Sequence, residues 1–245
     1  MQALLQSLNP LDSYFGAVYS HYMNTVHSSG SSQGDKYVEK RWDMVENQIV
    51  SRGIKNTKVI EAMLKVKRHL FVPKDYIDSA YADNPIPIEK GQTVSQPYMV
   101  ALMTELLYPL PGKKILEVGT GSGYQTAVLA ETGCDVYTVE IIEDLAIKSR
   151  KILDESDYSN IKFRIGDGYE GWEEYAPFQG IIVTAAPAQI PEKLVDQLST
   201  DGRLVIPVGD TNQELLLIEK TNEGITKKRI TSVRFVPMTE QSNQS

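Results

Sequence analysis

The chain has 245 residues, of which 41% are apolar and 23% charged, and it carries a formal charge of −7. That composition suits a globular protein with a buried core and excludes collagen-like, mucin-like and disordered acidic chains. An acidic chain without a basic run also argues against nucleic acid as a main partner, because Lys and Arg neutralising phosphates supply most of that affinity.

There is one cysteine, Cys134, and there are three histidines, His21, His27 and His69. One thiol forms no internal disulfide and no cysteine zinc cluster, and no His-Glu-x-x-His run exists, so no metal is expected. No stretch approaches the ~20 apolar residues of a membrane helix. No Lys or Arg precedes Lys36, so the basic start of a secretory signal is missing. The expectation is a cytoplasmic protein with no membrane partner, with a monomer as the default.

Residues 1–35 contain only two charged side chains, Asp12 and Asp35, and Ser28–Gly34 reads SSGSSQG. This composition predicts a loosely attached tail with a short helix near Leu4–Leu8, joined by a flexible linker. Val38, Trp42, Val45 and Ile49 then recur at i, i+4, i+7 and i+11, one face of a helix that Gly53 can stop. Asn56 or Thr57 can cap a second helix carrying Val59, Met63 and Val66. Pro73 closes the helical option after Leu70-Phe71-Val72. Asn84–Ile88 (NPIPI) is extended or turning, Gly91–Pro97 reads GQTVSQP, and a helix is expected from about Gln96 to Leu107.

The period then changes. Strands are expected at Lys114–Val118, Asp135–Val139, Ile161–Ile165, Gly180–Thr184 and Arg203–Val208, with helices at Gly123–Glu131, Ile142–Leu153 and Pro191–Leu198. Two more strands, near Glu214–Glu219 and Lys228–Phe235, close the chain. Alternating strands and helices predict an α/β fold, a mostly parallel, doubly wound Rossmann-like sheet with helices on both faces. The expected division is a tail over 1–35, one domain over 36–238 and a polar tail over 239–245. Within the domain, 36–110 is a helical substrate-side region and 111–238 the Rossmann-like cofactor region.

Leu116–Tyr124 reads LEVGTGSGY, leaving a predicted strand and entering a predicted helix, the context in which a glycine loop has meaning. A dinucleotide fingerprint needs Gly-x-Gly-x-x-Gly or Ala, and its third position here would be Tyr124. The spacing is instead Glu117-x-Gly119-x-Gly121-x-Gly123, which resembles the first motif of class I methyltransferases. No Gly-Lys-Ser/Thr follows, which excludes a phosphate loop. Glu140, at the end of the second strand, can accept both ribose hydroxyls of an adenosine. Gly166-Asp167-Gly168 follows the third strand, where an acid in such enzymes meets the adenine; the same triplet is also ordinary turn chemistry.

A more specific resemblance runs from about residue 37 to 238. RHLFVP at Arg68–Pro73, YADNPIPI at Tyr81–Ile88, GQTVSQPYM at Gly91–Met99 and VTAAP at Val183–Pro187 resemble protein-L-isoaspartate O-methyltransferases of the bacterial type. So do VIPVG at Val205–Gly209 and VRFVP at Val233–Pro237. The resemblance implies S-adenosyl-L-methionine as cofactor, S-adenosyl-L-homocysteine as product, and isoaspartyl-containing proteins and peptides as partners. It implies cofactor contacts at Glu117, Gly119, Thr120, Gly121, Gly123, Glu140, Asp167 and Gly168. It places the active-site serine at Ser95 and substrate contacts at Thr93, Ala185 and Ala186. On residue chemistry alone Ser95 equally suits a cap for the following helix. His69, with no motif partner, reads as structural. Two alternatives stay open: a methyltransferase with another acceptor, a small molecule or RNA, and a cofactor-binding protein without catalysis.

Overall fold

The structure is a computed structural model that describes residues 35–240; the tail with its Leu4–Leu8 segment, the Ser28–Gly34 linker and residues 241–245 lie outside the described residues. Helix α1, Val38–Met44, continues through a π turn over Val45–Ile49 and a 3-10 turn over Val50–Arg52, and ends at Gly53 with a left-handed φ of 97°. The sequence pattern assigned Val38 and Trp42 to the buried face. Val45 and Ile49 are buried there, Arg41 and Met44 are buried beside them, and Trp42 packs half-buried against the same core. Arg41 tolerates burial because it pairs with Asp35 at 2.8 Å and donates through Nε to the Leu64 carbonyl at 2.5 Å. Helix α2, Thr57–Lys65, is capped by Asn56, whose side chain accepts from the amides of Lys58 and Val59.

The NPIPI segment is extended, and it also pairs. Ile86–Pro87 (β1) lies antiparallel to Thr93–Val94 (β2), with a turn through Lys90 and Gly91 in left-handed backbone. Ser95 and Gln96 then lead into α3, Pro97–Leu106. His69 is held in place by a 2.7 Å hydrogen bond between its Nδ1 and the Tyr81 hydroxyl.

The main sheet is built from β3 (Lys114–Val118), β4 (Asp135–Glu140), β5 (Ile161–Ile165), β6 (Phe178–Val183), β7 (Leu198–Val208), β8 (Gln213–Thr221) and β9 (Gly224–Val233). Helices α4 (Tyr124–Glu131), α5 (Glu143–Asp154) and α6 (Glu192–Asp196) connect them. The order is β5-β4-β3-β6-β7-β8-β9, parallel up to β7 and antiparallel beyond it. Several expected boundaries moved. Helix α6 stops at Asp196, and β7 begins at Leu198, because Phe178 pairs with Leu198 before the register slips and resumes at Gly180. Helix α4 begins at Tyr124, since Gly123 has a φ of 87°.

One face of the sheet packs Ile115, Val136, Ile182 and Val205 under Met103 of α3 and Leu129 of α4. The other packs Leu116, Val118, Val139 and Ile181 under Leu194 of α6 and Trp172. Each such side chain contributes about 1.5–3 kcal/mol of burial. The chain passes from β3 to β4 on one side, while β6 takes the other side of β3. The crevice at the carboxyl ends of these strands is where open α/β sheets bind ligands. Among the described residues, no helix is long and apolar enough to cross a membrane.

Candidate active site

The glycine loop leaves β3 at that crevice. The amide of Gly119 donates to the Val139 carbonyl at 2.8 Å and its φ is 94°. A Cβ here would overlap the Thr184 hydroxyl, which donates to the Gly119 carbonyl at 2.6 Å. Gly121 has a φ of 52° with nothing within 4 Å of a Cβ position, so bare main chain faces the cleft. Gly123 serves packing instead, since a Cβ there would press on Leu153 and Ser149; the glycine seats α4 against α5. Gly119→Ala is therefore expected to lower both melting temperature and cofactor affinity, whereas Gly121→Ala should chiefly weaken the cofactor. Thermal melts with and without S-adenosyl-L-homocysteine would separate the two; equal melting temperatures for both variants would contradict this assignment.

Glu140 stands at the end of β4 with both carboxylate oxygens engaged. Oε2 accepts from the Gly121 amide at 2.7 Å and Oε1 from the Ile142 amide at 2.9 Å. Among the described residues lining the cleft it is the only charged side chain. Glu117 lies beneath the loop, fully buried and outside the lining. Its Oε2 accepts from Thr126 at 2.5 Å and from Thr138 at 2.7 Å, and Thr138 is in turn 2.6 Å from the Thr120 hydroxyl. Its Oε1 is buried without a partner among the described residues. Burial pushes the Glu117 carboxyl up to about 8; the two threonine hydroxyls pull against that rise and the nearby Glu140 charge adds to it.

Gly168 lines the cleft after β5, and a Cβ on it would overlap Val118. Asp167 does not line it: its carboxylate accepts from the Tyr169 amide at 2.9 Å and caps the turn over Gly168–Glu170. The turn reading of Gly-Asp-Gly accounts for one oxygen of the Asp167 carboxylate.

Gln92–Ser95 bring the segment before the sheet against the same cleft, so Thr93 and Ser95 face the glycine loop. The cap of α3 is Gln96, with no side-chain capping bond, and Ser95 has no hydrogen bond to any described residue. Its hydroxyl is therefore not spent on the helix. Ala185 lines the cleft, but Ala186 does not. Its amide donates to the Val236 carbonyl and its carbonyl accepts from the Met238 amide, each at 2.8 Å. Main-chain contacts expected of Ala186 toward a peptide are thus made with the chain's own C-terminal segment. Val236–Thr239 close the cleft, which sequence reasoning missed, since the expected polar tail began at 239. VRFVP was a signal for this, but its partner Ala186 is about fifty residues away.

The cleft opens to solvent between the glycine loop, Glu140 and the segment around Ser95. Among the described residues its lining holds no Lys or Arg to meet a phosphate, and its one charge is an acid. That suits an adenosine whose tail carries positive charge: the fold and cleft define a class I S-adenosylmethionine-dependent methyltransferase. Residues 39–243 match the family model described as Protein-L-isoaspartate(D-aspartate) O-methyltransferase. A protein-L-isoaspartate O-methyltransferase of Gloeobacter violaceus is 49% identical over 203 residues, covering 82% of this chain and 99% of the relative. That of Geobacter metallireducens is 53% identical over 197 residues, covering 80% and 91%. A structure from Plasmodium falciparum, titled a putative protein-L-isoaspartate O-methyltransferase in complex with S-adenosyl-L-homocysteine, superposes with a TM-score of 0.71 at 30% identity, covering 81% of this chain and 98% of that one. The chain belongs to the protein-L-isoaspartate(D-aspartate) O-methyltransferase family.

Proposed function

We infer that the chain transfers the methyl group of S-adenosyl-L-methionine to the α-carboxylate of L-isoaspartyl residues in damaged proteins, which initiates their repair. The observation that carries this reading is a cleft whose only charged lining residue among the described ones is Glu140, with the unengaged hydroxyl of Ser95 also on its lining. A carboxylate acceptor, with an ordinary pKa of about 4, is already ionised at neutral pH and needs no base. The cofactor, when bound, supplies a methyl group already activated on a sulfonium. The protein's work is then placement and exclusion of water.

In this reading Glu140 accepts the ribose hydroxyls. Main chain at Gly119, Thr120, Gly121 and Gly168 lies along the cofactor. Glu117, Gly123 and Asp167 shape the loops that hold it. Ser95 donates to one oxygen of the acceptor carboxylate, Thr93 and Ala185 form the rim on which the peptide lies, and Ala186 fixes the closing segment. Residues 36–110 form the substrate side and 111–238 the cofactor side. Because the cleft is assembled within one chain, a monomer suffices. A single cysteine, buried and free, supports a reducing, cytoplasmic setting.

With labelled cofactor and two peptides that differ only in Asp or isoAsp, only the isoAsp peptide should acquire label. Labelling of both, of neither, or of a small molecule or RNA in their place would overturn the acceptor.

A further inference from the structure

With no hydrogen bond of its own, the Ser95 hydroxyl is aimed by the backbone around it. That backbone is gripped from outside the cleft. Gln96, one residue on, donates through Nε2 to the Asp83 carbonyl at 3.2 Å. The Asp83 carboxylate pairs with Arg52 at 2.9 Å. The guanidinium of Arg52 also lies over the ring of Tyr98, three residues beyond Ser95, at 3.5 Å from its centroid. One side chain thus holds both anchors that follow the serine. Arg52 is delivered by the tight end of α1, where the Gly53 amide donates to the Val50 carbonyl at 2.9 Å and left-handed Gly53 turns the chain away. None of Arg52, Asp83 or Tyr98 lines the cleft.

We propose that Arg52 is a positioning residue, which sets the Ser95 hydroxyl for the acceptor carboxylate by clamping Asp83 and Tyr98 together. The proposal rests on the role given to Ser95 above. An exposed ion pair alone holds little. Here the same planar cation also stacks on an aromatic face, which fixes its orientation as well as its charge. A lysine keeps the charge and loses the plane, so Arg52→Lys restores only part of the clamp.

The test is a double-mutant cycle read as kcat, KM for an isoAsp peptide, S-adenosyl-L-homocysteine affinity and melting temperature. Arg52→Ala should lower kcat about tenfold, with product affinity and melting temperature nearly unchanged, and Tyr98→Leu should reproduce that loss. In a Ser95→Ala background, Arg52→Ala should cost nothing further, because the group it aims is gone. Equal losses from Arg52→Ala in both backgrounds, or full activity of Arg52→Ala, would overturn the clamp while leaving Ser95 in its role. Full activity of Ser95→Ala would instead overturn the role of Ser95, and the clamp with it.

Discussion

Ser95→Ala should lower kcat about 100-fold while leaving affinity for S-adenosyl-L-homocysteine within about twofold. The magnitude is that of removing one preorganised donor at a reacting oxygen. Among the described residues no Lys or Arg lines the cleft to take over that contact, and Thr93 stands two residues away, exposed on strand β2. The cofactor side is untouched, because the Ser95 hydroxyl bonds to no residue of the glycine loop. Initial rates with labelled cofactor and calorimetric titration of the product would check both halves. A variant with unaltered kcat, or one that loses product affinity in step with rate, would take Ser95 out of the acceptor's path.

The second large effect concerns Glu117 and appears in stability. Its carboxyl, raised to about 8 by burial, titrates near the usual carboxylate range in the unfolded chain. The folded state therefore binds the proton more tightly. Stability of the ligand-free protein should fall as pH rises from the unfolded value towards about 8, then level off. Glu117→Gln has the shape of the neutral acid and lacks this slope. The variant should gain on the parent with rising pH, by on the order of 5 kcal/mol at most once both forms are past that range. Urea denaturation at several pH values would show the two curves diverging; parallel curves would mean that Glu117 stays ionised in the fold.

Much of this protein was legible before folding. The spacing of Glu117, Gly119, Gly121 and Gly123 decided the class of cofactor, since Tyr124 stands where a dinucleotide loop needs glycine or alanine. The alternation from Lys114 to Val208 decided the parallel sheet, and Asn56 marked the start of α2. GQTVSQP pointed to the substrate side. These are short-range properties: backbone conformation and hydrophobic period depend on neighbours a few residues apart, which the sequence displays directly.

Other features became readable only in three dimensions. Glu117 and Asp167 look like cofactor ligands in a one-dimensional pattern. The fold buries one under its loop and has the other cap a turn through one oxygen. Val236–Thr239 enter the cleft only because Ala186 offers both main-chain groups to that segment. Arg41 can be buried only because Asp35 and the Leu64 carbonyl are there to receive it. Arg52 reaches Ser95's flanks only through Asp83 and Tyr98. The sequence by itself determined the helices, most strands, the cofactor class and the family. The tertiary structure decided which polar groups face the ligand and which serve the frame. A polar side chain satisfies its hydrogen bonds with whichever partner the packed chain brings within about 3 Å, and that partner is commonly far away in sequence.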